Sequence, residues 1–135
     1  MARLILDTGV LIRAARGRLQ LSSLSGNDNL AVPAVAVAEF LQGVRLTRHA
    51  SEAERQRAFL RDTLVVAPVV DYTFQVAEEH GALLAHVRHS GSPRGRHDLI
   101  IAATARASDR TIVTTDTHAR FDDLPGVSVR YLEPS

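Results

Sequence analysis

Residues 1–12 read "MARLILDTGVLI", and they combine an apolar run, an acid and a second apolar run. The first run, residues 4–6, is typical of a buried strand, and Asp7 follows it at once. A carboxylate buried alone costs free energy unless it is paired, protonated or bound to a metal ion. Two interpretations of Asp7 stay open from this stretch: it caps a following helix, or it is a functional acid at the end of a strand.

Short apolar segments alternate with longer segments of helical periodicity along the rest of the chain. The predicted strands are residues 3–6, 29–33, 64–70, 111–114 and 127–132. The predicted helices are residues 9–17, 34–46, 51–62, 72–89 and 98–108. The third helix opens with Ser51 and Glu54, which have the spacing of a capping box. Short strands separated by helices indicate βαβ units, and therefore an α/β fold with a parallel sheet covered on both faces.

The composition limits the possible classes of function. The 135 residues contain no Cys, which excludes disulfides and thiolate metal sites. All 16 basic residues are Arg, so a mechanism that needs a catalytic lysine is excluded. Asp7 interrupts the N-terminal apolar run too early for a signal peptide, and no segment has the length of a membrane span. We expect one domain over residues 1–135, located in the cytoplasm and without membrane association.

Four acids stand in unusual places. Asp7 and Asp116 each follow a predicted strand, and Asp98 opens a very apolar predicted helix. Glu39 is the one charged residue between positions 30 and 41. Helix capping and turn formation explain the aspartates taken singly, whereas Glu39 is harder to explain on a solvated face. Because parallel strands end at the same edge of a sheet, Asp7 and Asp116 are expected to project there together.

Acids gathered at one edge need charge compensation. Two carboxylates ~5 Å apart repel by roughly 3 kcal/mol at an effective dielectric constant near 20. The chain has no Lys, and no Arg adjoins Asp7, Glu39 or Asp116 in sequence. Divalent cations are the simplest solution, and an all-oxygen ligand set suits Mg²⁺ or Mn²⁺. The absence of Cys and of an HExxH motif argues against zinc.

Four segments of the chain resemble the acidic motifs of PIN-domain ribonucleases: "LILDTGVLI", "VAEFLQG", "GRHDLIIAATA" and "IVTTDTHARFDDLPGV". Nearly the whole chain is similar to the VapC-type toxins of bacterial toxin–antitoxin pairs. The resemblance implies a three-layer α/β/α PIN-like fold with a central, mostly parallel, twisted sheet of four to five strands. It also implies a metal-dependent endoribonuclease that cleaves structured RNA, such as tRNA or rRNA, to arrest growth.

The resemblance also assigns roles to residues. Asp7, Glu39, Asp98 and Asp116 fall on the acidic positions of the family and are the expected catalytic residues. Asp7, Asp98 and Asp116 are the expected ligands of Mg²⁺, for which Mn²⁺ is expected to substitute, and Glu39 is either a ligand or positions the attacking water. Many relatives have Asn at the position of Asp116, with an Asp shortly after. Here we predict that Phe121 packs under the sheet and directs Asp122 outward.

Neighbouring polar residues complete the expected site. Hydroxyl groups can orient carboxylates, and the candidates are Thr8, Thr114 and Thr115. Hydrogen bonding within turns and strand ends explains these threonines equally well. Arg94 and Arg96, in the Gly-rich loop before the third acidic motif, are candidates for RNA binding. Aromatic residues make up only 4% of the chain, which favours recognition of a folded RNA over stacking on a long single strand.

The resemblance further implies a homodimer and a cognate antitoxin whose C-terminal segment lies in a groove near the active site. The candidate groove residues are Val44, Leu46, Phe59 and Leu60, although packing within the domain explains them as well. The alternative function is a catalytically silent PIN fold that serves as an RNA-binding or protein-binding module. Receiver domains and haloacid-dehalogenase-like phosphotransferases are excluded, because Lys is absent and residues 7–9 are not DxD.

Overall fold

Five parallel strands form the central sheet in the part of the chain that the computed structural model describes, residues 1–25 and 28–133. The strands are β1 (Arg3–Leu6), β2 (Asn29–Pro33), β3 (Val69–Val70), β4 (Thr111–Thr114) and β5 (Val129–Tyr131). Their order across the sheet is β3-β2-β1-β4-β5, and every neighbouring pair is parallel. Strands β1 and β4 are therefore central neighbours, and their carboxyl ends lie side by side.

Helices cover both faces of this sheet. They are α1 (Thr8–Ala15), α2 (Ser22–Ser25), α3 (Ala34–Leu46), α4 (Ala50–Val66), α5 (Phe74–Ser90) and α6 (Arg96–Ala107), followed by a 3₁₀ turn at Phe121–Asp123. Side chains alternate between the two faces along a strand, so Leu4 and Leu6 pack in one core and Ile5 in the other. The first core includes α1, α3 and α4, and the second includes α5 and α6. The predicted three-layer α/β/α fold is confirmed.

The segment predicted as a strand at residues 64–70 begins as helix, and that prediction is wrong for residues 64–68. Helix α4 continues to Val66, and only Val69–Val70 form a strand. The helix buries Leu60 and Thr63, and its C-cap residue Ala67 is buried as well; their spacing of three and four residues matches one helical face. Pro68 disfavours helical geometry at the residue before it, and the helix ends there. The Pro68 carbonyl then accepts a hydrogen bond from the Val32 N–H, which attaches the short edge strand to β2.

Two helix starts also differ from the prediction. Helix α4 begins at Ala50, after His49, and His49 makes no side-chain capping bond, so the capping box at residues 51–54 does not form. Helix α6 begins at Arg96 after Gly95, so Asp98 lies inside the first turn and is not the capping residue.

In the described residues, no helix is long and apolar enough to cross a membrane.

Candidate active site

Asp7 is a buried acid at the carboxyl end of β1, with only 7% of its surface exposed. One carboxylate oxygen accepts a hydrogen bond from the Thr8 N–H at 2.8 Å, so the residue does cap α1. The other oxygen accepts from the Thr114 hydroxyl at 2.7 Å. Burial raises the pKa of Asp7, the two hydrogen bonds oppose that rise, and the charges of Asp116 and Glu39 add to it. Capping and proximity to other acids therefore coexist at this residue.

Thr114 connects Asp7 to Asp116 at the end of β4. Its fully buried hydroxyl donates to Asp7 and accepts from the Asp116 N–H at 3.0 Å. The Asp116 Oδ1 atom accepts from the N–H groups of His118 and Ala119 at 2.8 and 3.2 Å, so this acid also organises a turn. Asp116 is exposed, and its Oδ2 atom takes no part in these turn bonds. The strand-end threonine thus orients one acid and the backbone of another.

Glu39 reaches the same region from α3. Its Oε1 atom accepts a hydrogen bond from the Thr8 hydroxyl at 2.7 Å, and its Oε2 atom lies 3.1 Å from His97 Nδ1. The glutamate side chain is 29% exposed, which leaves it accessible to solvent between the two contacts. These contacts join the start of α1, the middle of α3 and the first turn of α6. The pairing of His97 with Glu39 is a feature that the sequence analysis missed, since nothing in the spacing of these residues indicates it.

Asp98 is the acid whose pKa is affected by all three of the others. Its pKa is raised from 3.8 to about 6, first by burial and then by the negative charges of Asp7, Asp116 and Glu39, while His97 lowers it. Each of the other three acids is therefore near enough to oppose ionisation of this carboxyl group. Gly95 lies against the Asp98 side chain, because a Cβ atom at position 95 would be only 2.9 Å from Asp98 Oδ2. Glycine has no Cβ atom and therefore fits there without displacing the carboxylate.

An open cavity of about 450 Å³ lies beside two of these acids, Glu39 and Asp98. Its lining consists of Glu39, Gly95, Arg96, His97 and Asp98. Arg96 is exposed and brings positive charge to the rim of an otherwise acidic site. A cavity that combines carboxylates, an imidazole and an arginine has the groups needed to bind a phosphate and to transfer protons.

Arg94, in contrast, does not line this cavity. Only 7% of its side chain is exposed, and its guanidinium group donates to the backbone carbonyls of Ala119 and Arg120. Arg94 therefore makes an internal contact in place of the predicted RNA contact. The sequence does not indicate this, because the contact depends on how the loop before α6 packs against the turn after β4. Thr115, the third candidate hydroxyl, makes no side-chain hydrogen bond to the acids among the described residues.

Asp122 contacts Tyr131 at the end of β5. Phe121 is fully buried in the second core, and Asp122 is exposed, which is the arrangement that the sequence analysis predicted. The Asp122 Oδ1 atom accepts a hydrogen bond from the Tyr131 hydroxyl at 2.7 Å. Burial, this hydrogen bond and nearby acids, Asp116 among them, raise the pKa of Tyr131 to about 12. Asp122 thus holds the end of β5 beside the site.

The donor set fits a hard divalent cation. Among residues 1–25 and 28–133, no three His, Asp or Glu side chains are placed to hold a metal ion by themselves. Mg²⁺ generally keeps several waters and binds through one or two carboxylates, so it does not require such a closed cage. Burial, and after it the charges of the three other acids, raise the pKa of Asp98, and added positive charge would oppose both effects.

A second cavity, of about 130 Å³, lies between α1, α3 and α4 and extends to Glu39. It is lined by Ile12, Ala15, Arg16, Glu39, Phe40, Gly43, Val44, Thr47, Glu52 and Gln56. Of the four groove residues predicted from sequence, only Val44 lines it. Leu60 is buried in the core, Phe59 stacks on Phe40 with a centroid distance of 6.1 Å, and Leu46 is 73% exposed.

Known proteins share the sequence pattern and the fold. The family model described as PIN domain matches residues 4–127. The protein of Rickettsia bellii named Ribonuclease VapC is 23% identical over 126 residues, which are 93% of each chain. A chain of VapBC2 from Rickettsia felis, solved bound to a DNA fragment from its promoter, has a TM-score of 0.84 and 22% identity, covering 96% of this chain and 98% of that one. A chain of VapBC-5 from Mycobacterium tuberculosis, a member of the VapBC family of toxin–antitoxin systems, has a TM-score of 0.78 and 25% identity, covering 98% and 100%.

Proposed function

Because the chain belongs to the PIN-domain family, we propose that it is a metal-dependent endoribonuclease and the toxin of a bacterial toxin–antitoxin pair. The observation that carries the proposal is the placement of four acids near the carboxyl ends of β1 and β4, where Thr114 contacts both Asp7 and the Asp116 backbone. Burial, and then the charges of the other three acids, raise the pKa of the fourth, Asp98. The likeness to a protein named Ribonuclease VapC over 93% of both chains supports the same activity.

We assign two roles to the four acids. Asp7, Asp98 and Asp116 would hold Mg²⁺, directly or through water, and Mn²⁺ would substitute for it. When bound, such an ion activates water and stabilises negative charge that develops on a phosphate. Glu39 would position the attacking water, and its Oε2 atom is itself oriented by the 3.1 Å contact with His97 Nδ1. The Thr8 and Thr114 hydroxyls restrict the rotation of Glu39 and Asp7.

The substrate is a structured RNA, of the tRNA or rRNA class. Arg96, exposed at the cavity rim, binds a backbone phosphate next to the acids. An acidic centre repels RNA unless positive charge compensates, so the arginine and the cation act together. The 4% aromatic content offers few surfaces for base stacking, which favours recognition of RNA shape.

A cognate antitoxin is the expected protein partner, since solved relatives of this fold are VapBC toxin–antitoxin complexes. The cavity between α1, α3 and α4 accommodates the antitoxin segment in this proposal, because it combines apolar walls with Glu39, which also lines the acidic cavity. A segment seated there reaches the acidic site and blocks RNA. The toxin itself is expected to form a homodimer.

Cleavage of end-labelled RNA tests the enzymatic part of the proposal. Wild-type protein is expected to cleave in Mg²⁺ and to lose activity in EDTA, and Asp98→Asn is expected to abolish cleavage. Asp62→Asn is the matched control, because Asp62 is an exposed acid on α4 that lies outside both cavities. RNA binding without cleavage would favour the silent binding module, and cleavage that survives EDTA would contradict metal dependence.

Expression in cells tests the biological role. Wild-type protein alone is expected to arrest growth, co-expression of the cognate antitoxin is expected to relieve the arrest, and Asp98→Asn is expected to be harmless. Harmless expression of folded, cleaving wild-type protein would leave the nuclease activity in place and contradict the toxin role.

A further inference from the structure

Two loops of the candidate site are joined by a buried arginine. Arg94 lies in the loop before α6, four residues ahead of Asp98, and only 7% of its side chain is exposed. Its Nη1 atom donates to the Ala119 carbonyl at 2.8 Å and also to the Arg120 carbonyl, both in the turn after β4. Its Nη2 atom lies 3.8 Å from the exposed carboxylate of Asp123. The guanidinium group therefore holds the second loop mainly through its backbone.

The turn that Arg94 holds is the one that Asp116 organises. The Ala119 N–H donates to Asp116 Oδ1 at 3.2 Å, while the Ala119 carbonyl accepts from Arg94. The same residue is thus bound by the acid on one side and by the arginine on the other. A shift of Ala119 on loss of the Arg94 contact would therefore disturb its hydrogen bond to the Asp116 carboxylate.

A second contact runs between the same loops in the opposite direction. Arg120 donates from Nη2 to the Ser92 hydroxyl at 3.1 Å. Its backbone has a φ of 49°, a left-handed conformation that is unfavourable for a residue with a side chain. The hydrogen bond from Arg94 to the Arg120 carbonyl stabilises this conformation. The two arginines therefore link residues 92–94 to residues 119–120 in both directions.

We propose that Arg94 is a positioning residue that fixes Asp116 relative to Asp98 and thereby sets the affinity of the acidic site for a divalent cation. The inference rests on the proposed function. Asp98 and Asp116 are on segments that are far apart in sequence, and Arg94 connects the loop of one to the turn of the other. Groups that orient metal ligands typically affect metal affinity by about 10–100-fold when removed.

Arg110 provides a matched control within the same chain. Its Nη1 atom donates to the Leu4 and Asn29 carbonyls, both at 3.1 Å, so it too joins separate backbone segments. The Nε atoms of Arg94 and Arg110 are both buried and without a hydrogen-bond partner among the described residues. Arg110 precedes β4 and therefore lies at the opposite end of the sheet from the acids. Replacing either arginine by alanine removes the same kind of contact.

Direct titration with Mn²⁺, starting from EDTA-treated full-length protein, measures the effect without relying on catalysis. We expect Arg94→Ala to raise the Kd for Mn²⁺ by about tenfold or more. Arg110→Ala, at an independent site, is expected to change the Kd by about twofold at most. Thermal melting of the two variants shows whether their losses of stability are comparable. RNA cleavage by Arg94→Ala is expected to recover as the Mg²⁺ concentration is raised.

Arg94→Lys gives a second, milder test that remains informative if the alanine variant does not fold. Its ammonium group reaches fewer carbonyls than a guanidinium group does, so we expect an increase in Kd between those of wild type and alanine. Equal Kd values for wild type and Arg94→Lys, or equal values for Arg94→Ala and Arg110→Ala, would overturn the inference while leaving the nuclease proposal intact. A wild-type protein that neither binds Mn²⁺ nor cleaves RNA would overturn both.

Discussion

Replacement of Asp98 by Asn is expected to stabilise the metal-free protein at neutral pH. The pKa of Asp98 is raised to about 6 by burial and by the charges of neighbouring acids, from an ordinary value of 3.8. A carboxyl group whose pKa is higher in the folded state binds its proton more tightly there than in the unfolded chain. The free energy of unfolding therefore falls as pH rises from 3.8 to about 6, and the loss is complete above that window.

The size of the effect follows from the same two values. A rise in pKa from 3.8 to about 6 corresponds to about 3 kcal/mol. Asp98 is partly exposed, and solvent screening reduces the expected strain to about 1–2 kcal/mol. Asparagine cannot ionise and escapes this strain, so Asp98→Asn should raise the Tm in EDTA near neutral pH by about 3–8 °C. At about pH 4 the advantage should shrink by about fivefold, because folded wild-type protein then has a protonated Asp98.

Thermal melting of wild type and Asp98→Asn in EDTA, across this pH range, measures the difference. Asp62→Asn, which removes an exposed acid on α4, is the control for the loss of one negative charge. Added Mg²⁺ should stabilise wild type more than Asp98→Asn, because a ligand that binds only the folded state stabilises it by mass action. If Asp98→Asn melts at or below the wild-type temperature at neutral pH in EDTA, burial and the neighbouring charges do not destabilise ionised Asp98, and the prediction is wrong.

Three further substitutions probe separate contacts. Gly95→Ala should lower the rate of RNA cleavage by about tenfold or more with little change in Tm. The reason is that the new Cβ atom would stand 2.9 Å from Asp98 Oδ2 and displace that carboxylate. An unchanged rate would show that Asp98 tolerates displacement. Thr114→Val should lower the free energy of unfolding by about 1–3 kcal/mol, because Asp7 loses a buried donor, whereas Thr114→Ser should retain most of it in denaturant unfolding. Phe121→Ala should cost about 3–5 kcal/mol in the same assay, and a loss below about 1 kcal/mol would contradict its place in the core.

The sequence predicted the parts of the fold that depend on continuous apolar runs. Strands β1 and β4 bury almost every residue, so their composition identifies them directly, and the acids that follow them mark the carboxyl edge. Residues 64–70 are equally apolar, yet residues 64–66 continue α4 and only residues 69–70 form a strand. A short apolar run fits a strand or the end of a helix, and only the buried face, formed here by Leu60, Thr63 and Ala67, distinguishes the two.

The acids of the candidate site were predictable, whereas their supporting contacts were only partly so. An acid within an apolar segment stands out in any sequence, as Glu39 does. The donation from Thr8 to Glu39 depends on how α1 packs on α3, which no local pattern specifies. Arg94 is the opposite case, because an arginine in a Gly-rich loop suggests a surface role, and tertiary folding of the loop buries it instead.

Anomalous diffraction from crystals of the protein soaked in Mn²⁺ shows directly whether these acids bind a cation together. We expect an anomalous peak at the carboxyl ends of β1 and β4, bounded by Asp7, Asp98 and Asp116, and no peak there in crystals of Asp98→Asn. A peak at another position, or its persistence in the variant, would contradict the claim that these acids form one cation-binding centre.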